Sequence, residues 1–387
     1  MKQSNRLNIL GHRLRQLAAC SVVSLALVSL NGCAIFSSEP GVGAAKRWSS
    51  LGGWQEDDLK DAWEALAQQC EGRSDKGALK AWCAAADELP LEPSSELVRE
   101  FFESKAKPHR LHGPYGRRDG LITGYYEPLL QGSLTPDDRY RYPLYQVPDE
   151  LLVVDMAEMF PELKGKRVRG RVEGNKVVPF YSRAQIDSSK NPLAGQELFW
   201  VDDPVDAFFL QIQGSGIVQL PDGSQRGVAY AQQNGHPYRA IGRDLIEQGE
   251  IPVEDISLFT IRDWLQANPN KAQELMNKNP SYVFFSDSGP ATGEGPKGSL
   301  NVPLTTERSV AVDRKLIPLG SPLWLDTTLP DGSNYRRLVF AQDTGGAITG
   351  AVRADVFFGR GPEAATLAGE MKQTGRLYLL QLNSENN

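Results

Sequence analysis

The sequence lacks long hydrophobic runs and a surplus of basic residues. Its only charge-poor apolar segment, residues 17–30, has 14 residues, whereas a helix needs roughly 20 to cross a bilayer, so a polytopic membrane protein is excluded. Four of the 42 Lys and Arg residues, but none of the 48 Asp and Glu residues, lie within the first 32 positions. Without that segment the net charge changes from −6 to −10. We therefore expect no nucleic-acid partner.

Histidine is also scarce. Only His109, His112 and His236 lie beyond the first 32 residues, and no acid-flanked pair at helical spacing accompanies them, as a metal site would need. His109 and His112 occupy a basic segment, residues 108–118, which we expect to be a solvent-exposed loop. The sequence also lacks a nucleophile elbow and a phosphate-binding glycine loop with its Lys. We expect neither a metal nor a cofactor.

The N-terminus has the three parts of an export signal. Residues 1–32 combine a basic start that ends at Arg15, an apolar stretch and a short polar exit. The exit, residues 30–33 (LNGC), resembles a bacterial lipobox, in which Cys33 is lipidated and begins the mature chain; an ordinary secretory signal with a chance Cys is the alternative. Ala34 after it favours the outer membrane. The sequence thus predicts an outer-membrane lipoprotein that faces the periplasm, with the lipidated Cys and a tether at 33–45.

Two cysteines remain once the signal and the lipid site are set aside. Cys70 and Cys83 then lie in an oxidising compartment, where disulfides form. Apolar spacing predicts a helix over residues 57–70 and another over 78–86, and the short link 71–76 would fold them into an antiparallel hairpin. Such a hairpin could bring the two sulfurs together. The pair is either a disulfide or two small buried thiols.

The rest of the chain reads as an ordinary globular protein, with 40% hydrophobic and 23% charged residues. About 355 residues remain after processing, a length that favours two domains. Two Pro-Asp-Gly hairpin turns stand at 221–223 and 330–332. Helices are predicted at 205–210 (after Asp203-Pro204), 236–278 and 361–372, and strands at 282–285, 309–312, 323–325, 338–341 and 376–382. Short strands with turn signals and isolated helices favour a mainly β fold containing a barrel over a parallel βαβ sheet.

The strongest local pattern places two carboxylates around a glycine-rich segment. An apolar strand delivers Asp343 to a Gly-Gly turn, and Asp355 directly precedes the apolar residues 356–358. A carboxyl in an apolar setting has a raised pKa and can stay protonated near neutral pH, as a glycosidase-type acid requires. The alternative is that Asp343 caps the turn and Asp355 bonds to the backbone, without catalysis.

Residues 343–345 (DTG) also match the aspartic-protease triplet, and residues 287–289 (DSG) are a possible mate. The two triplets are only 56 residues apart, whereas a two-lobed protease separates them by a whole lobe. The second triplet also lacks the apolar strand that should follow it. We therefore expect no aspartic protease.

Five motifs in chain order form a more specific pattern. They are TGYYEPLLQGS (123–133), FFLQIQGSGIVQL (208–220), NPSYVFF (279–285), VPLTTERSVAVDRKLIPLGSPLW (302–324) and AQDTGGAITGAVRADVFFGRGPEAATLAG (341–369). Together with the lipoprotein signal, they resemble the family of membrane-bound lytic murein transglycosylase A. The resemblance spans residues 110–380, and the preceding helices match less distinctively.

The resemblance implies a fold with two β-rich parts. One is a double-psi β-barrel catalytic domain, built from the separated segments 46–127 and 290–381 and carrying the N-terminal helices. The other, residues 128–289, is an inserted substrate-binding domain. The substrate would lie in a groove between the two.

The resemblance also implies a reaction, the cleavage of the β-1,4 bond between N-acetylmuramic acid and N-acetylglucosamine in peptidoglycan with formation of 1,6-anhydromuramic acid. Asp355 aligns with the general acid/base of the family, and Asp343 with a supporting Asp. One acid suffices because the muramic acid C6 hydroxyl, an internal nucleophile of high effective molarity, replaces water. The alternative is a non-catalytic peptidoglycan-binding or scaffolding lipoprotein.

Further site residues follow from the same motifs. Thr123 aligns with a Thr that lines the cleft in some members, whereas a second such Thr falls on Glu127. Glu127 is then either a substrate ligand or a second charge acting on the catalytic acid. Gln211, Gln213 and Ser215 are candidates for binding N-acetyl groups, with ordinary strand-surface polar residues as the alternative. The expected partners are peptidoglycan glycan strands, outer-membrane lipid and cell-wall synthesis proteins.

Overall fold

A computed structural model describes residues 39–71, 77–164, 168–291 and 293–383. The export signal and the lipidation site Cys33 lie outside these ranges. Strands contain more of the described residues than helices do, so the fold is mixed α/β with more strand than helix. Residues 40–113 and 117–383 form one compact unit within the described chain. In these ranges no helix combines the length and apolar character needed to cross a membrane.

The described residues form nine α-helices and seventeen strands, and each kind is numbered in chain order. The helices are α1 (Lys60–Glu71), α2 (Gly77–Ala86), α3 (Ser95–Lys105), α4 (Arg183–Ile186), α5 (Pro204–Gln213), α6 (Gly242–Glu247), α7 (Leu258–Ala267), α8 (Pro269–Asn277) and α9 (Gly361–Glu370). The strands are β1 (Gly41–Ala45), β2 (Ala106–His112), β3 (Gly120–Glu127), β4 (Leu129–Ser133), β5 (Tyr142–Tyr145), β6 (Leu152–Val153), β7 (Arg169–Glu173), β8 (Lys176–Pro179), β9 (Glu197–Val201), β10 (Ser215–Gln219), β11 (Gln225–Gln233), β12 (Val283–Pro290), β13 (Ser309–Val312), β14 (Pro322–Thr328), β15 (Asn334–Asp343), β16 (Arg353–Arg360) and β17 (Lys372–Leu382).

The largest sheet has eight strands in the order β1-β2-β17-β14-β15-β13-β16-β3. An additional pairing between β17 and β3 closes six of them into a ring. Within the ring, β13 pairs with β15 and β16 pairs with β3 in parallel, and the other pairs are antiparallel. Buried apolar side chains such as Val310, Leu323 and Val356 pack together here. The ring is therefore a packed barrel.

All strands between residues 129 and 290 belong to two smaller sheets. One has six strands in the order β12-β11-β10-β4-β9-β5, and the other has the three strands β6-β7-β8. The hairpin turn predicted at 221–223 joins β10 to β11, and that at 330–332 joins β14 to β15, so both are confirmed. Helix α5 packs against the six-stranded sheet through Ala207 and Leu210.

Helix α5 is longer than the sequence predicts. It begins where expected, because the Asp203 side chain accepts a hydrogen bond from the Val205 N–H and Pro204 stands at the first helical position. It continues to Gln213, however, and ends only at Gly214, whose φ of 86° suits glycine. The prediction that the helix ends at residue 210 is wrong, and Gln211 and Gln213 lie on a helix rather than on a strand surface.

The predicted exposed loop at 108–118 is also partly wrong. Its first five residues belong to β2, which pairs with β1 and β17. His109 is half-buried and its Nδ1 lies 2.9 Å from the Gly43 carbonyl oxygen, and His112 is half-buried as well. The basic residues of this segment predict an exposed loop. Pairing with strands that are distant in sequence decides its conformation instead.

The N-terminal helices form a hairpin that packs on the barrel. A disulfide joins Cys70 of α1 to Cys83 of α2, with their Cα atoms 5.4 Å apart. Of the two alternatives for these cysteines, the structure contains the disulfide. Trp54, which precedes α1, meets Trp324 of β14 edge to face at 5.2 Å. One apolar cluster therefore runs from the helices into the barrel wall.

Candidate active site

The barrel brings the two predicted acids to either side of one short strand. Asp343 is the last residue of β15 and Asp355 lies in β16, and both strands pair with β13. Ala311 of β13 is the register partner of both acids. Since neighbouring strands lie about 4.8 Å apart, the two Cα atoms are separated by roughly twice that distance. Two residues that are 12 positions apart in sequence thus belong to one site.

Asp343 is held by four hydrogen bonds. Its Oδ1 accepts from the Ser299 N–H at 2.9 Å, the Ser299 hydroxyl at 2.9 Å and the Thr344 N–H at 2.8 Å, and its Oδ2 accepts from the Tyr125 hydroxyl at 3.0 Å. Burial raises the pKa of Asp343, and these hydrogen bonds oppose the shift. The carboxylate is therefore fixed in position, with both oxygens engaged.

Asp355 has a different setting. Among the described residues it accepts one side-chain hydrogen bond, from the Thr123 hydroxyl, which lies in register on the parallel strand β3. Burial raises the pKa of Asp355, the Arg353 guanidinium and the Thr123 hydrogen bond oppose that shift, and the Asp343 charge adds to it. A carboxyl with a raised pKa and few donors is suited to holding a proton and delivering it.

The residues that donate hydrogen bonds to Asp343 were not predicted from the sequence. Tyr125 is buried, and it stands two positions after Thr123 on β3, so strand periodicity alone places both side chains on one face. Arg353 has the same relation to Asp355 on β16. No comparable signal exists for Ser299, because it comes from an irregular segment between β12 and β13. Only the folded chain brings Ser299 to the site.

Glu127 is engaged by an arginine. It is buried at the end of β3, its register partner is Arg360 of β16, and the Arg360 guanidinium donates to its carboxylate. Burial raises the pKa of Glu127, and the Arg360 hydrogen bond and charge oppose the shift. The charged groups that act on Asp355 are Arg353 and Asp343. The structure thus gives Glu127 a partner that neither sequence hypothesis included.

The three groove candidates have separate positions. Gln213 bridges α5 to β3, because its Oε1 accepts from the Tyr126 N–H at 3.1 Å. Gln211 is buried, and its Oε1 accepts from the Arg183 Nη2 at 2.7 Å and from the Val283 N–H at 3.2 Å. Ser215 begins β10. The structure brings Gln213 to the strand that carries Thr123 and places Gln211 in a different polar cluster.

Gly216, the second residue of β10, stands where a side chain would collide with its neighbours. A Cβ atom on Gly216 would lie 2.5 Å from the Leu210 Cδ1 and 3.0 Å from the Pro128 carbonyl oxygen. Such distances are too short for a side chain. The glycine therefore allows Leu210 and the Pro128 backbone to approach this strand closely.

The arrangement does not fit an aspartic protease. Asp287 lies on β12 of the six-stranded sheet, where the Arg226 guanidinium binds its carboxylate. Asp343 lies on the barrel. The two carboxylates therefore belong to different sheets and different polar clusters, rather than to a shared pair. Within the described ranges, no group of three or more His, Cys, Asp or Glu side chains is arranged to hold a metal.

Comparisons with known proteins give the same architecture. A family model described as the MltA specific insert domain matches residues 121–286, and one described as the 3D domain matches residues 308–381. The membrane-bound lytic murein transglycosylase A of Vibrio cholerae is 34% identical over 272 residues. That alignment covers 68% of this chain and 66% of the relative, just under two thirds of its length.

Two solved structures match over nearly their whole length. The membrane-bound lytic murein transglycosylase from Agrobacterium tumefaciens is 31% identical with a TM-score of 0.78, and the match covers 88% of this chain and 98% of that one. Escherichia coli MltA with bound chitohexaose is 27% identical with a TM-score of 0.65, and the match covers 90% and 95%. The barrel and the sheets inserted into it are thus the MltA fold, a 3D domain with an inserted MltA-specific domain. The chain belongs to the family of membrane-bound lytic murein transglycosylase A.

Proposed function

We propose that this protein is a lytic transglycosylase of peptidoglycan. It cleaves the β-1,4 bond between N-acetylmuramic acid and N-acetylglucosamine and leaves a 1,6-anhydromuramic acid end. The observation that carries the proposal is that the two acids differ in their hydrogen bonding. Asp343 accepts four hydrogen bonds, and among the described residues Asp355 accepts one side-chain hydrogen bond. Family membership and the chitohexaose bound to the E. coli relative support a glycan substrate.

In the proposed reaction a single acid acts twice. Protonated Asp355 donates its proton to the glycosidic oxygen as the bond to C1 breaks. The resulting carboxylate then accepts the proton of the muramic acid C6 hydroxyl, whose oxygen attacks C1 of its own ring. Because the nucleophile is part of the substrate, no second carboxylate is needed to activate water. Asp343 supports the site by its fixed negative charge, which favours the protonated form of Asp355.

The proposed domain arrangement assigns residues 46–127 and 290–381 to a double-psi β-barrel and residues 128–289 to the inserted domain. Its support is the closed six-strand ring with two parallel pairs, together with the membership of strands from 129 to 290 in other sheets. The glycan would lie between the two, beside Thr123. Gln213 links α5 of the insert to β3 of the barrel, and so places an insert residue at this boundary.

The proposed location is the periplasmic face of the outer membrane, with Cys33 as the lipid anchor. The lipobox-like residues 30–33 and the membrane-bound relatives support it. The disulfide between Cys70 and Cys83 fits an oxidising compartment. Glycan strands, outer-membrane lipid and cell-wall synthesis proteins are the proposed partners.

A product analysis tests the reaction. The full chain is incubated with murein sacculi, and the released muropeptides are analysed by mass spectrometry. We expect anhydro ends, each lighter than a reducing end by one water. We expect Asp355→Asn to retain binding to sacculi but to lose cleavage by at least about 10²-fold, as for removal of a general acid.

The control is Asp331→Asn, in the exposed β14–β15 turn, which should cleave like the unmodified protein. Reducing ends in place of anhydro ends would indicate a hydrolase. Binding without any cleavage by the unmodified protein, indistinguishable from that of Asp355→Asn, would leave the non-catalytic wall-binding lipoprotein as the function.

A further inference from the structure

A cavity of about 350 Å³ lies in the inserted part of the chain, and nothing in the proposed reaction uses it. Its lining comes from β5, α4 and the loop after it, β9, α5 and α8, and it contains none of the residues around Asp355. Aromatic rings form much of the wall, among them Tyr142, Trp200 and Tyr282. A space of this size admits a few residues of a peptide or one sugar ring, and its polar groups decide between them.

The first of these groups is a buried arginine. Arg183 is 3% exposed, and its guanidinium stacks between the rings of Phe208 and Tyr282, at 4.7 and 4.9 Å from their centres. Its Nε and Nη2 donate to the Asn279 carbonyl at 3.1 Å and to Gln211 and the Ser281 carbonyl at 2.7 Å each. All of these acceptors are neutral. Among the described residues no carboxylate forms a salt bridge with Arg183.

The remaining nitrogen of Arg183 is available to a ligand. Nη1 makes no hydrogen bond with the described residues, and it is not among the donors sealed from solvent without a partner. Nη1 therefore keeps some exposed surface, and Arg183 lines the cavity. Burial lowers the pKa of Arg183, and nearby groups that include Asp187 oppose the shift. A carboxylate at Nη1 would complete its bonding with a charge-assisted hydrogen bond.

The second group is an acid from the same helical turn. Asp187 follows α4, its N–H donates to the Arg183 carbonyl at 2.8 Å, and it also lines the cavity. Residues four apart on a helical turn face the same side. Gln273 donates to the Asp187 Oδ2 at 3.1 Å, which leaves Oδ1 for another donor. Arg183 and Asp187 therefore act on each other through their charges but share no hydrogen bond, and Arg141 adds a second cation to the cavity lining.

We propose that this cavity binds the zwitterionic end of an amino acid in a peptidoglycan peptide, with its carboxylate on the Arg183 Nη1 and its ammonium on Asp187. A neutral sugar ring would meet these two groups with hydroxyl hydrogen bonds alone, whereas a group carrying one carboxylate and one ammonium meets both with charge-assisted hydrogen bonds. In peptidoglycan this group is the side-chain terminus of meso-diaminopimelate. The inference rests on the proposed function, because it takes the ligand from the same polymer. It adds a peptide-reading site to the glycan-cleaving one.

Isothermal titration of the full chain in detergent tests the site. The probe is the glycan-free tripeptide L-Ala-D-Glu-meso-diaminopimelate, compared with the same tripeptide carrying L-Lys, which keeps the ammonium and lacks the terminal carboxylate. We expect the unmodified protein to prefer the first peptide by about tenfold or more, the scale of one charge-assisted hydrogen bond. In Arg183→Met that preference should vanish, because the partner of the carboxylate is gone.

A matched control is Arg171→Lys. Arg171 also stacks on an aromatic ring, that of Tyr181 at 4.4 Å, but it does not line the cavity, so its variant should keep the full preference. If thermal melting shows that Arg183→Met does not fold, Asp187→Asn at the rim replaces it. The unmodified protein should prefer the diaminopimelate tripeptide to the same tripeptide N-acetylated on its side-chain amine. Asp187→Asn should lose that preference.

The two proposals fail separately. Equal binding of both tripeptides by the unmodified protein, or none, overturns the peptide site even when sacculi are cleaved. Competition by chitohexaose for the tripeptide would overturn it too, since the cavity would then be a glycan subsite. Tripeptide discrimination without any cleavage of sacculi would overturn the transglycosylase instead.

Discussion

At the residue scale, hydrogen-bond donors distinguish two buried acids of one site. Asp343 accepts from Tyr125, Ser299 and Thr344, whereas Asp355 accepts from Thr123. Donors stabilise the charged form of a carboxyl, and burial stabilises the neutral form. In the sequence each acid lies close to an apolar run, 338–341 before Asp343 and 356–358 after Asp355. The roles that we propose for them depend on these contacts, and that of Ser299 has no signal in the sequence.

Arg353 provides a test of the proton donor. Burial raises the pKa of Asp355, and the Arg353 charge opposes that shift. The protonated carboxyl is the active form, so cleavage should persist below the pKa of Asp355 and disappear as the pH rises through it. Arg353→Gln removes the opposing charge and raises this pKa further. We therefore expect the basic limb of the kcat/KM profile to move to higher pH.

Arg353→Lys keeps the positive charge and serves as the control, with a basic limb close to that of the unmodified protein. A limb that does not move in Arg353→Gln, while kcat/KM at its plateau is retained, would show that the observed titration belongs to a group other than Asp355.

At the element scale, the sequence predicts helices and strands best where local residues set the ends of the element. Strand β13 was predicted at residues 309–312 and occupies those positions, and both Pro-Asp-Gly turns join strands as expected. Prediction failed where tertiary contacts override local signals. Helix α5 continues through Gln213, and in its last turn Gln211 and Gln213 accept hydrogen bonds from the distant Val283 and Tyr126 N–H groups. Strand β2 forms in a basic segment because β1 and β17 supply its partners.

The disulfide of the α1–α2 hairpin gives a prediction at this scale. Cys70 and Cys83 are 13 positions apart, and closing a loop of that length stabilises a protein by about 3 kcal/mol through the unfolded chain. The double variant Cys70→Ser and Cys83→Ser should lower the free energy of unfolding by up to this amount in urea. Chemical reduction of the unmodified protein should produce the same loss. A double variant as stable as the oxidised protein would show that the link contributes nothing.

At the scale of the whole molecule, a buried ion pair ties the N-terminal segment to the barrel. Arg308, just before β13, binds both oxygens of Asp57 at 2.8 and 2.9 Å, and the two side chains are 1% and 4% exposed. The Leu338 N–H donates to the same carboxylate at 2.8 Å. The residues are 251 positions apart. Strand β13, which lies between the strands of Asp343 and Asp355, is thus anchored to a segment that is distant in sequence.

Removing one partner of this pair should be costly. Arg308→Met leaves Asp57 as an uncompensated buried charge, and we expect the free energy of unfolding to fall by about 3–5 kcal/mol. Adding Asp57→Asn removes that charge and keeps an oxygen for the Leu338 N–H, so most of the loss should be recovered. Urea unfolding of Arg308→Met, Asp57→Asn and the double variant measures the coupling. Equal and additive losses would mean that the two charges do not depend on each other.

The sequence by itself determined the turns, the strand that leads to Asp343, the apolar run that follows Asp355 and, through five ordered motifs, the family. These features depend on neighbouring residues, whose spacing sets periodicity, capping and turn type. Only the tertiary structure decided that Ser299 and Tyr125 hold Asp343, that Glu127 pairs with Arg360, and that Arg183 lines a cavity. Those contacts join segments far apart in sequence, and they form because the barrel closes and the inserted sheets pack, which no local pattern encodes.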